Sequence, residues 1–265
     1  MNTRLSRFAR IVLWFVAINA LIGATILIFF PTQTEQLFFW NITPPINAAL
    51  FGALYLGGAL VVGWVTYRGE WEGARFLTPV LVSAGILISL TTFLHLDRFN
   101  PGLKLAYWLI VYVGAPLLAL LIYRQQESGG ANWIVEEPLR PITRHIAVGL
   151  GGVLLLMGLA GIAMPGPVVA NWPWPTSPLM VRIFAAWFSA FGVGLLWFHV
   201  DRDWRRVRLI PLMMVFAAGL DMAMVIIHRA DVSEAGMELG VFVFHLGLFG
   251  AIGLIMIGLQ RRRPD

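Results

Sequence analysis

The strongest constraint on this chain is a series of eight apolar segments, each close to the roughly 20 residues that a helix needs to cross a bilayer. Hydrophobic residues make up 58% of the chain and charged residues 12%, whereas soluble proteins average roughly 45–50% and about 25%. The sequence therefore predicts an all-α integral membrane protein. Its eight predicted transmembrane helices are residues 11–30, 46–67, 76–95, 105–123, 145–164, 179–199, 209–228 and 239–259.

Landmark residues of the first half recur in the second half. Six recur 134 positions later, as Pro31/Pro165, Trp40/Trp174, Thr43/Ser177, Pro44/Pro178, Gly58/Gly192 and Arg68/Arg202. Three recur 133 positions later, as Trp71/Trp204, Arg75/Arg208 and His95/His228. Because each copy holds an even number of spans, we expect two tandem four-helix repeats in parallel orientation, related by a pseudo-two-fold axis along the membrane normal. The predicted domains are a repeat at 1–123, a cytoplasmic linker at 124–144 and a repeat at 145–265.

The distribution of basic residues predicts the orientation. Fifteen arginines, Arg262 and Arg263 among them, fall on the side of the N-terminus, against three basic residues on the other side. Because cytoplasmic loops are enriched in Lys and Arg, we expect both termini to be cytoplasmic, in a bacterial cytoplasmic membrane. The net charge of +5 is then explained by contact with the bilayer and its anionic lipid headgroups, not by nucleic acid. The segment Trp204-Arg205-Arg206 is expected to be a solvated basic face.

Glycines recur at helical spacing within the spans. The fifth span contains Gly149, Gly151, Gly152, Gly158 and Gly161. Small residues allow helix backbones to approach closely in lipid, so these glycines predict tight helix packing. A substrate path lined by bare backbone is the alternative.

A repeated motif marks the outer side of each copy. Trp40 and Trp174 are predicted to anchor the chain in the interfacial aromatic belt. Thr43 and Ser177 each precede a proline, which predicts a side-chain N-cap followed by a first-turn proline.

A histidine with a nearby carboxylate ends the third helix of each copy. His95 is followed by Asp97, and His228 by Asp231. Such a pair can bind a metal, transfer a proton or sense pH. A histidine that satisfies the last carbonyls of its helix is the plainer interpretation.

The most specific signal is Asp221, which lies inside the seventh span, where an uncompensated charge costs at least about 2.5–3.5 kcal/mol. Arg182, about one turn inside the sixth span, is predicted to pair with it. His228 and His245 are predicted to converge with this pair into an outward-facing pocket of the second repeat. A buried ion pair that only holds the bundle in register is the alternative. The first copy, whose comparable polar residues include Asn47, His95, Tyr107 and Tyr112, is expected to be less specialised.

The function predicted from these residues is binding of a small amphipathic or anionic ligand, by a transporter-like or sensing protein. Two alternatives stay open, a non-catalytic subunit or scaffold of a membrane complex, and a lipid-modifying enzyme of the outer leaflet. No catalytic residue and no metal site is assigned, and the absence of cysteine excludes disulfides and thiol catalysis. No cofactor is predicted, with haem held by His228 and His245 as an alternative. A membrane-protein partner or a second copy of the chain is a candidate partner.

Overall fold

The computed structural model describes residues 4–130, 132–232 and 236–261, so Arg262 and Arg263 lie outside the described residues. Eight long helices follow one another: α1 Arg7–Phe29, α2 Pro45–Arg68, α3 Leu77–Phe93, α4 Leu103–Ser128, α5 Pro141–Ala163, α6 Pro178–Leu196, α7 Leu209–Ile227 and α8 Met237–Arg261. The short helices Trp71–Ala74 and Trp204–Val207 lead into α3 and α7. With these included, all eight are long and apolar enough to cross a membrane. Over the described residues, the prediction of an all-α chain with eight helices that can span a membrane is confirmed.

The helix ends lie at two opposite faces. At the N face, which carries the start of α1, Leu5 N donates to Gly69 O over 2.8 Å. At the opposite face, here called the distal face, Asn100 N donates to Phe39 O over 2.8 Å. As predicted, Pro31 and Pro165 lie just beyond the distal ends of α1 and α5.

Four helices form the buried centre of the bundle. Helix α2 packs against α7, and α3 packs against α6, so the centre joins the two halves of the chain. Each remaining helix covers one central helix: α1 lies on α2, α4 on α3, α5 on α6 and α8 on α7. In the most apolar stretch of α2 and α6, 67% and 72% of residues are buried, compared with 22% in α1, α4 and α8. The peripheral helices are therefore the ones that face lipid.

Glycines allow close contact between the backbones of α5 and α6. A Cβ added at Gly192 would lie 2.7 Å from both Gly151 O and Leu155 N. A Cβ at Gly158 would lie 2.6 Å from Ala185 O, whereas Gly152 has nothing within 4 Å. Gly149 likewise meets nothing. The predicted tight packing is thus a property of particular glycines, since only one face of α5 meets α6.

Hydrogen bonds at the N face occur in matched sets, one set in each half. A residue of the first set and the equivalent residue of the second set are 133 or 134 positions apart in the chain. The matched sets are Leu5 N to Gly69 O (2.8 Å) with Leu139 N to Arg202 O (2.8 Å), Ser6 N to Gln126 Oε1 (2.9 Å) with Arg140 N to Gln260 Oε1 (3.1 Å), and Gln126 Nε2 to Arg4 O (3.1 Å) with Gln260 Nε2 to Pro138 O (2.9 Å). In each half, one glutamine side chain forms hydrogen bonds with the segment that precedes the first helix of that half.

We expect Gly192→Ala to destabilise the protein, because the added Cβ would press against the backbone of α5. Overpacking of this kind costs about 1–3 kcal/mol. Gly152→Ala on α5 is the matched control. It should be neutral or slightly stabilising, because alanine favours a helix over glycine and nothing opposes the methyl group. Thermal unfolding in detergent measures both. Equal midpoints for the two variants would show that the crossing is looser than described.

Candidate functional site

Arg182 contacts a histidine from the other half of the chain. Its Nη1 lies 2.7 Å from His95 Nε2, and its Nε donates to Ile162 O over 2.8 Å, at the distal end of α5. Arg182 therefore ties the distal ends of α3, α5 and α6 together. It forms no ion pair with Asp221, and the predicted Arg182–Asp221 pair is wrong.

Asp221 is buried within α7, with 7% of its surface exposed, and its Oδ1 has no hydrogen-bond partner among the described residues. His245 lies on the exposed side of α8, where its Nδ1 contacts Val241 O of its own helix at 2.7 Å. Arg182, Asp221 and His245 are thus in separate environments. The structure does not bring them together into the pocket that the sequence predicted.

His228 and Asp231 contribute to the start of α2. Asp231 Oδ2 accepts a hydrogen bond from Ile46 N over 2.9 Å, and lies 3.4 Å from His228 Nδ1. A carboxylate at a helix N-terminus is favourable because the first backbone N–H groups have no partner within the helix. Thr43 makes no cap to α2, contrary to prediction, whereas Ser177 Oγ accepts from Met180 N as predicted. The residue that caps α2, Asp231, belongs to the other half of the chain. Its separation from Ile46 along the chain is too large for a local sequence pattern to predict this contact.

Trp40 and Trp174 are core residues and not interfacial anchors. Their exposed fractions are 2% and 4%. Trp174 Nε1 donates to Asn47 Oδ1 over 2.9 Å, and Asn47 Nδ2 donates to Pro175 O over 3.2 Å. The prediction of an aromatic belt at these positions is wrong, because the loops fold inward over the centre of the bundle. Asp97, also a predicted site residue, is exposed and pairs with Arg98 at 3.2 Å instead of His95.

A cavity of about 440 Å³ lies in the first half, among α1, α3 and α4. Tyr55 of α2 and Trp187 of α6 also line it. Its lining extends from Phe38 near the distal face to Trp71 near the N face. The walls are almost entirely apolar, so the space suits a hydrophobic molecule. The cavity is in the half that was expected to be less specialised.

Two polar contacts interrupt the apolar wall of the cavity. Tyr107 Oη donates to Asn19 Oδ1, which links α4 to α1. The hydroxyl groups of Tyr55 and Tyr112 are hydrogen-bonded to each other, which links α2 to α4. At the corresponding positions 134 residues later the chain has Ser189, Val241, Leu246 and Val153. The first half thus has three tyrosines and one asparagine at positions where the second half has none. This difference was the sequence signal that could have indicated the cavity.

A cluster of charges is buried at the N face. Arg75 has no exposed surface, and its Nε donates to Glu127 Oε1 over 2.8 Å. Arg206 is 3% exposed, and its Nη1 donates to Asp201 Oδ1 over 3.2 Å. Asp201 Oδ2 lies 3.7 Å from Arg75 Nη1, so this carboxylate joins arginines of both halves. The predicted solvated basic face is therefore wrong for Arg206, which is unavailable to lipid headgroups.

Asp203 belongs to the same cluster, since its Oδ2 lies 3.4 Å from Arg206 Nη2, and its pKa is shifted in the opposite direction from that of Asp201. Burial raises the pKa of Asp201, against the opposing effect of Arg206. Burial also acts to raise the pKa of Asp203, but hydrogen bonds from the backbone N–H groups of Glu136 and Arg205, together with the nearby arginines, lower it overall. Asp203 is therefore held as a carboxylate that orders the segment before α7.

Comparison of the chain with protein-family models, with curated protein sequences and with solved structures found no match. Among the described residues, no group of three or more His, Asp or Glu side chains is placed to hold a metal ion. The function must be argued from the geometry of the chain itself.

We expect Arg75→Gln to destabilise the protein strongly, because buried Asp201 and the partly exposed Glu127 would lose the cation that they share. Removing one partner of a buried ion pair costs about 3–5 kcal/mol. Arg68→Gln is the control, since Arg68 and Glu70 form an exposed pair whose side chains are 53% and 55% accessible, worth about 0–1 kcal/mol. Thermal unfolding in detergent compares them. Similar midpoints would show that the cluster contributes little to stability.

We expect His95 to make the protein less stable in acid. Partial burial lowers the pKa of His95 from 6.5, and Arg182 lowers it further, while Asp97 opposes the shift. A group whose pKa is lowered by folding contributes stability above its unfolded pKa and loses that contribution as the pH falls through the lowered value. The unfolding midpoint of the wild type should therefore fall more steeply between about pH 7.5 and 5.5 than that of His95→Gln. Parallel curves for the two proteins would refute this role of His95.

Proposed function

We propose that the protein binds a small amphipathic, lipid-like molecule in the cavity of its first half, inside the membrane. The observation that carries this proposal is an apolar cavity whose accessible wall is formed by lipid-facing helices. Because Arg182, Asp221 and His245 do not converge, the second half offers no comparable support. The proposal keeps the expected ligand class and assigns it to a different site.

The exposed residues of the cavity wall indicate where a ligand enters. Phe15 and Ile22 of α1, and Ile110 and Leu118 of α4, line the cavity and are also exposed. Residues deeper in the wall, such as Ile88, are fully buried. Helices α1 and α4 pack on different central helices and make few contacts with each other. The mouth therefore opens sideways between α1 and α4, and a molecule dissolved in the bilayer could enter without crossing either face.

The dimensions of the cavity suit one hydrocarbon chain. The volume of about 440 Å³ lies within the range of roughly 300–1,000 Å³ that is usual for ligand pockets. The α1 wall extends from Val12 to Ile26, which is about 21 Å at about 1.5 Å per helical residue. This length covers about two thirds of the roughly 30 Å hydrocarbon core. A single chain lying along the membrane normal fits both values.

The proposal includes the internal duplication and the orientation of the protein. Landmarks recurring at 133–134 residues, the matched hydrogen bonds at the N face and the reciprocal packing of α2 on α7 and α3 on α6 support two parallel four-helix repeats. The excess of arginines at the N face supports a cytoplasmic location of that face, in a bacterial cytoplasmic membrane. Exposed arginines there, Arg7 and Arg10 among them, would contact anionic headgroups, in contrast to buried Arg75 and Arg206.

We expect Ala115→Phe to displace the ligand, because Ala115 lines the cavity and a phenyl ring would fill part of it. Ala106→Phe is the matched control on the same helix, at an exposed position outside the cavity. Protein purified in mild detergent should retain a copurifying lipid, detected by extraction and mass spectrometry. The amount retained should fall about tenfold in Ala115→Phe, equivalent to about 1.4 kcal/mol, and stay unchanged in Ala106→Phe.

Two results would contradict the proposal. One is equal lipid retention by both variants and the wild type, which would mean that bound lipid lies on the outer surface. The other is a wild-type protein that retains no lipid and binds no added acyl-chain probe. Unfolding midpoints of both variants, measured in the same detergent, separate loss of the ligand from loss of the fold.

A further inference from the structure

The tyrosine pair of the cavity has one hydrogen-bond donor without an acceptor. Tyr55 and Tyr112 each carry one hydroxyl proton, and the bond between the two oxygens uses only one of them. Neither hydroxyl bonds to any other group among the described residues. A polar hydrogen left without an acceptor in an apolar environment is unfavourable. An acceptor atom supplied by a ligand would satisfy it.

The surroundings of this donor limit the charge of the ligand. Among the described residues that line the cavity, none is Asp, Glu, Lys, Arg or His. A charged headgroup placed there would be desolvated without a counter-ion, which is strongly unfavourable. The second polar contact is already satisfied, since Asn19 accepts from Tyr107 and its Nδ2 donates to Phe15 O over 2.8 Å. Two donors therefore remain for recognition of an uncharged polar group: the tyrosine pair and the buried Nε1 of Trp187, which also lines the cavity and has no partner among the described residues.

Aromatic rings surround the tyrosine pair. The ring of Trp108 lies 4.2 Å from that of Tyr112, centroid to centroid, and the ring of Trp187 lies 5.7 Å from that of Tyr55. Both tryptophans line the cavity. A flat, polarisable group is favoured next to such rings.

We infer that the ligand is an uncharged lipid whose polar group is a carbonyl, and that the Tyr55–Tyr112 pair donates a hydrogen bond to this carbonyl oxygen. The inference rests on the proposed function, because it names the class of molecule that the same cavity binds. A quinone ring and a carboxylic ester both supply this carbonyl. The flat ring of a quinone also suits the neighbouring tryptophans.

The test compares probes that share a tail and differ in the acceptor. Decyl-benzoquinone and methyl undecanoate carry a carbonyl, whereas decylbenzene does not. Binding of radiolabelled probes to the full-length protein in detergent is measured for the wild type and for the double variant Tyr55→Phe/Tyr112→Phe. Tyr67→Phe is the control, at an exposed tyrosine outside the cavity.

We expect the double variant to bind the carbonyl probes about three- to tenfold more weakly than the wild type, as the loss of one hydrogen bond predicts. Its affinity for decylbenzene should be unchanged, and Tyr67→Phe should bind every probe like the wild type. Stronger binding of the quinone than of the ester would identify the ring as the preferred source of the carbonyl. The reverse order would identify the ester, with the same role for the tyrosine pair.

Other outcomes separate this inference from the proposed function. If the double variant loses affinity equally for all three probes, or for none, the tyrosines do not recognise a carbonyl and the inference is overturned while the cavity site stands. If the wild type binds no probe in an Ala115→Phe-sensitive way, the proposed function fails first. Should the double variant not fold, the wild type decides, because a carbonyl bound by the tyrosine pair must make the carbonyl probes bind more tightly than decylbenzene in an Ala115→Phe-sensitive way. Equal affinity of the wild type for all three probes would overturn the inference.

Discussion

The architecture depends on close contact between helix backbones, because a bilayer provides no hydrophobic driving force for the association of helices. Lipid tails are as apolar as the helix surfaces, so association relies on van der Waals packing and on a few polar contacts. At the α5–α6 crossing, Gly151 and Gly192 let the two backbones touch, and a single added Cβ would meet backbone atoms at 2.7 Å. Such crossings attach each peripheral helix to one central helix. Everything else in the fold, including the cavity, is arranged around these attachments.

The cavity follows from this arrangement. Helix α1 is attached to α2 and α4 is attached to α3, so nothing requires α1 and α4 to fill the space between them. Side chains partly close the gap, with Tyr107 reaching Asn19 and Tyr112 reaching Tyr55. In the second half Ser189 and Leu246 stand where the tyrosines of the pair would be. The two halves of the chain thus have different interiors, and the interior of the first half combines an apolar cavity with an unsatisfied hydroxyl donor.

Ion pairs and hydrogen bonds between the two halves, in addition to packing, stabilise both ends of the bundle. At the N face, Asp201 lies between Arg75 and Arg206. At the distal face, Arg182 reaches His95, and Asp231 caps α2 at Ile46. Apart from Asp201–Arg206, each of these contacts joins residues far apart in the chain. Their polar groups lie near the ends of the helices, where the cost of burying charge is lower than at the centre of the bilayer.

The sequence by itself determined the eight helices, because apolar segments of membrane-spanning length are a local property that lipid enforces. It also located the proline ends of α1 and α5 and the Ser177 cap, which depend only on neighbouring residues. Tertiary structure alone decided the partners of polar residues: Arg182 binds His95 and not Asp221, Trp40 and Trp174 are buried, and Arg206 is in a charge cluster instead of solvent. A spacing of residues fixes which face of a helix they share, but not which helix meets that face. For the same reason, the sequence shows where the tyrosines are but does not reveal the cavity that they line.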